Sequence, residues 1–410
     1  MKRLSGLALG VLAAVGGFVD MGGIISSSQA GAQYRFALLW TLIPGVVGFA
    51  VYADMSGRVA IASGRTMYDV IRDRLGFRLA LVPLLSTAVV NTLTLLVELA
   101  GMTLALQIAT HVSYLLWFPL ATLLLAAILW KASFTALDNS SALLGLAMLV
   151  VVVAMFKLAP PWGQVAVSFV HPSMATVKQL PDYLFAVVSL LGAYMTPYEF
   201  VFYSSGAIED GWGGRDLLTN RVVAIIGTLL GALIVFALIV SAAQVLFPQH
   251  LPVNQLSDAA LPTRTSLGLV GFGLFLLGAF AVSLGAGLET ALSGAYSLCQ
   301  YFGWDWGKKG PPREAPLFHL TYLAMLLVAM LLAYLRIDPI RVTIITLAVA
   351  AAALPFTFLP LLIVANDADY MGEQKNTLAV NIAAWIILAL LCAVTLAVAP
   401  LLVLSGGGAS

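Results

Sequence analysis

Four acidic residues, Asp20, Glu98, Glu199 and Glu289, fall inside otherwise apolar stretches of this chain, and no Lys, Arg or His lies at a comparable depth to neutralise them. Taking a carboxylate out of water is costly unless something compensates it, so an ionisable group within an apolar span marks a functional position by default. Asp20 and Glu199 also adjoin two obvious helix-breaking points, Met21-Gly22-Gly23 and Thr196-Pro197. Unneutralised acids beside interrupted helices are best explained when the missing partner is a travelling cation.

The breaks say what chemistry to expect. An unwound stretch frees backbone carbonyls to coordinate a cation, and half-helix ends direct partial charges toward it. Gly22 and Gly23 permit unusual backbone angles, and Pro197 removes a main-chain donor. Asp20, Gly23, Thr196 and Glu199 are therefore the candidate metal site. Gly17, Ala193 and Tyr198 are candidates for carbonyl donation or for lining it, and Glu98 and Glu289 for a proton or polar relay. An all-oxygen set of this kind suits hard cations such as Mg2+, Ca2+ or Mn2+. The ion is cargo, so no cofactor is expected. Ser26, Ser27, Ser28 and Gln29 are candidates to line an outward route, but the hydroxyls are expected to bond back to helix carbonyls, the commoner use. Asn91 and Gln107 read as inter-helix glue, and Asn366, Asp367 and Asp369 as a solvated helix end. No His-Glu-x-x-His or Cys/His cluster points to an enzyme, and Cys299 and Cys392 read as buried small hydrophobes.

These residues need elements to hold them. With 61% hydrophobic and 10% charged residues, the chain reads as an all-α integral membrane protein. A spanning helix needs about 20 mostly apolar residues, which predicts eleven spans: about 5–33, 36–56, 79–109, 113–131, 141–159, 182–208, 221–247, 267–302, 317–335, 341–364 and 377–404. The first and sixth are broken at the glycines and at the proline. With the N-terminus inside, 14 of the 20 basic residues fall on the inner side and 6 on the outer, so we expect a multi-pass cell-membrane protein with a cytoplasmic N-terminus and an extracytoplasmic C-terminus. Residues 405–410 read as a disordered tail or an expression remnant. The expected partners are a divalent metal ion and the lipid bilayer, with no nucleic acid and a monomeric assembly.

The chain also repeats itself. Gly16-Gly-Phe-Val-Asp20-Met-Gly-Gly-Ile-Ile-Ser26-Ser27 has its counterpart in Gly192-Ala-Tyr-Met-Thr196-Pro-Tyr-Glu-Phe-Val-Phe-Tyr-Ser204-Ser205. Five spans per unit make the second copy insert upside down, as in many secondary transporters. The predicted organisation is one transporter domain over 1–404, with repeats at about 1–159 and 182–366 and an extra helix at about 377–404.

Several segments carry a family resemblance. Asp20-Met-Gly-Gly-Ile-Ile-Ser-Ser-Ser-Gln29-Ala-Gly-Ala-Gln-Tyr34 resembles the first helix of the NRAMP divalent-metal transporters, where Asp-Pro-Gly-Asn precedes a Gln-Ala-Gly-Ala-Gln-Tyr run. Leu96-Val-Glu98-Leu-Ala-Gly101, Gly192 to Pro197, Ser283 to Gly294, and Leu354 through Gly372 resemble the third, sixth, eighth and tenth helices. The resemblance implies the LeuT-type (APC superfamily) fold, with helices 1 and 6 broken at the midplane.

Departures from the family pattern sharpen the reading. The family asparagine is Gly23 here, its methionine is Thr196 and its histidine is Tyr198. A thioether favours Mn2+ or Fe2+ over alkaline-earth ions, so its loss points to Mg2+, carried partly hydrated in a wider oxygen site. This resembles the NRAMP-related magnesium transporter branch. Glu98 matches the third-helix glutamate, but Leu95 replaces the aspartate, so proton coupling is expected to be weak or absent. The alternatives are a proton-coupled Mn2+/Fe2+ symporter, and a LeuT-fold organic-solute carrier or non-transporting sensor without a metal site.

Overall fold

The structure, a computed structural model, describes residues 19–133, 146–173, 177–335 and 338–406, and every regular element among them is helical. In chain order the helices are α1 (Met21–Tyr34), α2 (Leu42–Ser63), α3 (Met67–Thr110), α4 (Tyr114–Lys131), α5 (Leu149–Lys157), α6 (Trp162–Ser168) and α7 (Leu180–Tyr194). They continue with α8 (Pro197–Glu209), α9 (Leu217–Val245), α10 (Leu256–Phe302), α11 (Pro316–Ala333), α12 (Pro339–Ala365), α13 (Ala368–Met371) and α14 (Leu378–Leu404). Nine stretches among the described residues are long and apolar enough to cross a membrane, one of them Leu180–Glu209, which joins α7 to α8. The α5 and α6 segments, bent by 117°, would make a tenth. Helix α1 is the described part of the first predicted span. Gly17 and the rest of residues 1–18 lie outside the described residues.

Two groups of helices frame the molecule. Helix α9 packs on α1 and α2, and α2 on α8, while α3, α4, α10 and α11 form a second group around the α3–α10 contact, the largest among the described residues. Helix α12 packs on α3, α7 and α14. Close approach of backbones, which substitutes for a hydrophobic driving force inside lipid, occurs at Gly31 and Gly192. A side chain at either would run into the carbonyl oxygen of Ile239 or of Leu347.

The two longest helices are each kinked once. Gly76 (φ +78°) turns α3 before Phe77–Thr110, and Gly268 (φ +69°) turns α10 before a stretch of the same length, Leu269–Phe302. Both angles lie in the left-handed region that glycine adopts without strain. The exterior is apolar where lipid would lie, with Leu116, Leu120 and Leu123 of α4 and Ile382 and Ile386 of α14 exposed. Cys392 is exposed on α14, against the expectation that both cysteines are buried; α14 packs through one face only.

At one end of the bundle, basic residues of the 58–74 stretch meet partners from distant parts of the chain. Arg58 pairs with Asp54 at 3.2 Å and donates to the Gln374 carbonyl and to Asn376. Arg74 meets Asp367 at 2.5 Å, and Arg72 donates to the Tyr301 carbonyl at 2.6 Å. Asp367 is therefore an ion-pair partner and the N-cap of α13 rather than part of a freely solvated end. Asn366 exchanges amide hydrogen bonds with Asn381.

Candidate functional site

Helix α1 starts at Met21, and Asp20 is its extended N-cap (φ −121°, ψ −177°). The Asp20 carboxylate turns back over the first turn, with Oδ1 accepting from the Gly23 amide at 2.6 Å. An aspartate in this position satisfies amides that the helix itself cannot and meets the positive end of the helix dipole. Glu98, fully buried on α3, places both carboxylate oxygens 3.3 Å from the Met21 amide nitrogen. The start of α1 therefore carries two carboxylates. Space for this comes from glycines: a side chain at Gly101 would strike Ser283 and Met21, and one at Gly287 would lie 3.6 Å from Glu98 Cβ.

The second break is built differently. Helix α7 ends at Tyr194, Met195 and Thr196 leave helical geometry, and Pro197 opens α8 with its φ already suited to a first turn. Thr196 occupies the N-cap position, yet its hydroxyl makes no capping bond. Thr196 Oγ1, Tyr198 Oη and Glu199 Oε1 are all buried with no partner at hydrogen-bonding distance among the described residues, the Tyr198 hydroxyl and the Glu199 carboxyl lying close enough to interact with each other. Three such atoms within four residues are unusual, because buried polar groups are nearly always satisfied. The Tyr198 carbonyl, by contrast, already accepts from Ser293 Oγ at 2.6 Å. Ala193 is buried beside the break.

The starts of α1 and α8 lie near one another. Tyr198 lies within electrostatic reach of Glu199, Asp20, Glu289 and Glu98, and Glu98 within reach of Asp20 and Glu199. All four acids singled out in the sequence thus gather around one tyrosine, Glu289 from α10. Among the described residues no three His, Cys, Asp or Glu side chains form a group that could hold a metal alone. A cation here needs hydroxyls, carbonyls or its own water to complete its shell.

Three further observations refine the site. Ser26 and Ser28 do not bond back to helix carbonyls as expected: their hydroxyls are buried without a hydrogen-bond partner among the described residues. Ser26 lines a small polar cavity between α1 and α7 with Gln29, Gln33, Asp182 and Ser189. Asn91 and Gln107 do act as inter-helix glue; Gln107 accepts from the Tyr114 amide at 2.8 Å, and Asn91, in the amide orientation that satisfies it, bridges Thr87 and Gly294. Met195, the residue before Thr196, lays its sulfur against Gly48 of α2. No signal in the chain marks the roles of Ser283 and Ser293 beyond the small-residue stripe of α10 that contains them.

Comparison with known proteins agrees with this geometry. A model of the Nramp family, natural resistance-associated macrophage protein-like, matches residues 10–399. The structure is similar to the manganese transporter of Eremococcus coleocola solved with an aromatic bis-isothiourea compound, at a TM-score of 0.75 and 19% identity over 95% of this chain and 85% of that one. A single-residue mutant of that manganese transporter is similar at a TM-score of 0.76 and 19% identity, with the same coverage. Mhp1, a nucleobase-cation-symport-1 family transporter, is similar at a TM-score of 0.59 and 14% identity, over 96% of this chain and 92% of that one. The fold is thus the LeuT-like one.

Proposed function

The chain belongs to the Nramp family and is a divalent metal transporter, and on that premise we propose that its cargo is Mg2+, held partly hydrated between the start of α1 and the start of α8. The observation that carries this reading is the set of unsatisfied oxygens at the second break, Thr196 Oγ1, Tyr198 Oη and Glu199 Oε1, set opposite Asp20. Oxygen donors with room for water suit Mg2+, which dehydrates reluctantly. The sulfur of Met195, the residue before Thr196, is packed against Gly48 of α2, and Thr196 itself offers a hydroxyl where a thioether would favour softer ions. These features support membership of the NRAMP-related magnesium transporter branch.

In this mechanism Asp20 supplies the charge, and Thr196 and Glu199 supply oxygens directly or through water. Glu98 holds the α1 start. Tyr198, in place of a histidine, offers no group that titrates near neutrality, which favours uncoupled, gradient-driven uptake. The starts of α1 and α8, five spans apart, support inverted repeats at about 1–159 and 182–366, with α14 as the extra helix. We place the basic end of the bundle in the cytoplasm, the N-terminus with it and the C-terminus outside, and read the protein as a monomer.

The competing reading is a proton-coupled Mn2+ symporter, favoured by the manganese transport named for the similar structures. Uptake into proteoliposomes, with Mg2+ and Mn2+ tested separately beside an internal pH dye, separates the two. Mg2+ uptake without acidification is expected. Mn2+ uptake with acidification would favour the competitor, and no metal flux with Asp20 intact would defeat both.

A further inference from the structure

The half of the site on α8 ends, at its other terminus, in a buried acid outside the proposed metal chemistry. Glu209 closes α8, is 6% exposed and lies at the basic end of the bundle. Its Oε1 accepts two hydrogen bonds, from Tyr296 Oη of α10 at 2.9 Å and from the Lys308 amide at 2.6 Å. The segment between α10 and α11 is shaped to receive it. Gly307 adopts φ +121°, and a side chain there would press on the Glu209 carboxyl at 3.0 Å. The Lys308 ammonium turns the other way and donates to the Leu129 carbonyl near the end of α4. One turn before Glu209, Ser205 Oγ accepts from Gln300 Nε2 of α10 at 2.8 Å. Helix α8 is therefore tied to α10 at Ser293, Gln300 and Tyr296, while its site-facing oxygens stay unsatisfied.

We propose that Glu209 is a positioning residue that latches the basic end: it holds α8 against α10 and the 303–315 segment, closing the metal site on that side, and must let go before cargo leaves there. Several features suit an exchangeable latch rather than a permanent weld. A carboxylate held by a phenol and an amide, with no ion pair among the described residues, can trade both bonds for water when α8 swings out. The bonds sit at the far end of a helix of nearly four turns, where a small tilt about Thr196–Pro197 produces the largest displacement. The 303–315 segment, with Lys308 fixed to α4, stays with the second helix group, so opening parts the two groups along one seam. The proposal rests on α8 carrying half of the metal site, and on the basic end facing the cytoplasm for the direction of release.

Accessibility of a thiol in the seam tests it. Ser205→Cys, introduced with Cys299→Ala and Cys392→Ala, is labelled with an impermeant maleimide in inside-out and right-side-out vesicles. Tyr296→Phe, which keeps the ring packing on Trp306 and Phe318, is expected to raise the labelling rate from the basic end roughly five-fold, the population shift expected from one lost hydrogen bond. Glu209→Ala is expected to raise it further, and Glu209→Gln, which keeps an acceptor, to restore near-parental labelling. Unchanged labelling in Tyr296→Phe and in folded Glu209→Ala overturns the latch; if Glu209→Ala does not fold, Tyr296→Phe alone decides. Increased labelling in right-side-out vesicles only would leave the latch standing and reverse the assigned sidedness. Labelling does not require transport, so absent metal uptake would count against the proposed cargo and not against the latch.

Discussion

Both carboxylate oxygens of Glu98 lie 3.3 Å from the main-chain nitrogen of Met21, the residue that follows Asp20. Glu98 thereby fixes where α1 begins and, through it, the direction of the Asp20 carboxylate bonded to Gly23. A buried hydrogen bond to a charged group is worth about 1.5–3 kcal/mol. Glu98→Ala is accordingly expected to weaken metal binding by roughly ten- to a hundred-fold. Glu98→Gln keeps an acceptor for the Met21 amide and should lose far less. Titration calorimetry on purified protein measures both; equal losses would mean that charge, and not position, is what Glu98 contributes.

Thr196 decides the kind of donor offered at the second break. Thr196→Met puts a thioether where an unsatisfied hydroxyl now stands, so binding should move toward Mn2+ and Cd2+ and away from Mg2+, by about ten-fold in the ratio of affinities. Glu199→Gln keeps an oxygen but cannot ionise to meet a cation, and should weaken Mg2+ and Mn2+ together. Competition binding with the two ions checks both outcomes. A Thr196→Met protein with unaltered preference would remove Thr196 from the ion's surroundings.

Gly192 has no room for a side chain. Its Cβ would overlap the carbonyl oxygen of Leu347, a backbone atom of α12 that cannot rotate away. Overpacking of this sort costs about 1–3 kcal/mol or more, so Gly192→Ala should lower the melting temperature in detergent by several degrees and separate α7 from α12. Gly163→Ala, with nothing within 4 Å of the added methyl, serves as the control and should melt with the parent.

Features set by local chemistry were legible in the sequence. The second break announces itself through Pro197, and the apolar spans through length alone, because both depend on a handful of consecutive residues; Gly22 and Gly23, read as the first break, lie instead within the first turn of α1. The Glu98–Met21 bond joins positions 77 apart, and hydropathy says that Glu98 is buried but not which backbone group it meets. Helical rotation is equally hidden: nothing in Met195-Thr196 says that the sulfur turns to Gly48 and the hydroxyl goes unsatisfied. Ser26 and Ser28 depart from the usual back-bonding of helical hydroxyls, and Ser26 does so where a polar cavity opens beside it, which no single-helix argument contains. Glu209 falls just outside the predicted span 182–208, and its partners, Tyr296 and Lys308, come from another helix and from the segment after it.

Lys308 gives the fold a pH dependence of definite sign. Its side chain is almost wholly buried at the basic end, and burial pulls its titration below the ordinary 10.5, the charge of Glu209 opposing this. A lysine that titrates lower in the folded protein than in the unfolded chain binds fewer protons when folded across the interval between the two values. Stability from this group therefore rises with pH through that interval, is greatest above 10.5, and falls away as pH drops through the folded value. Lys308→Met keeps the apolar stem and the main-chain amide that Glu209 needs while deleting the titrating group. The parent's melting temperature, measured relative to Lys308→Met, should increase on moving from neutral pH into the alkaline interval below 10.5. A constant difference across that range would mean that the folded and unfolded chains hold this proton alike.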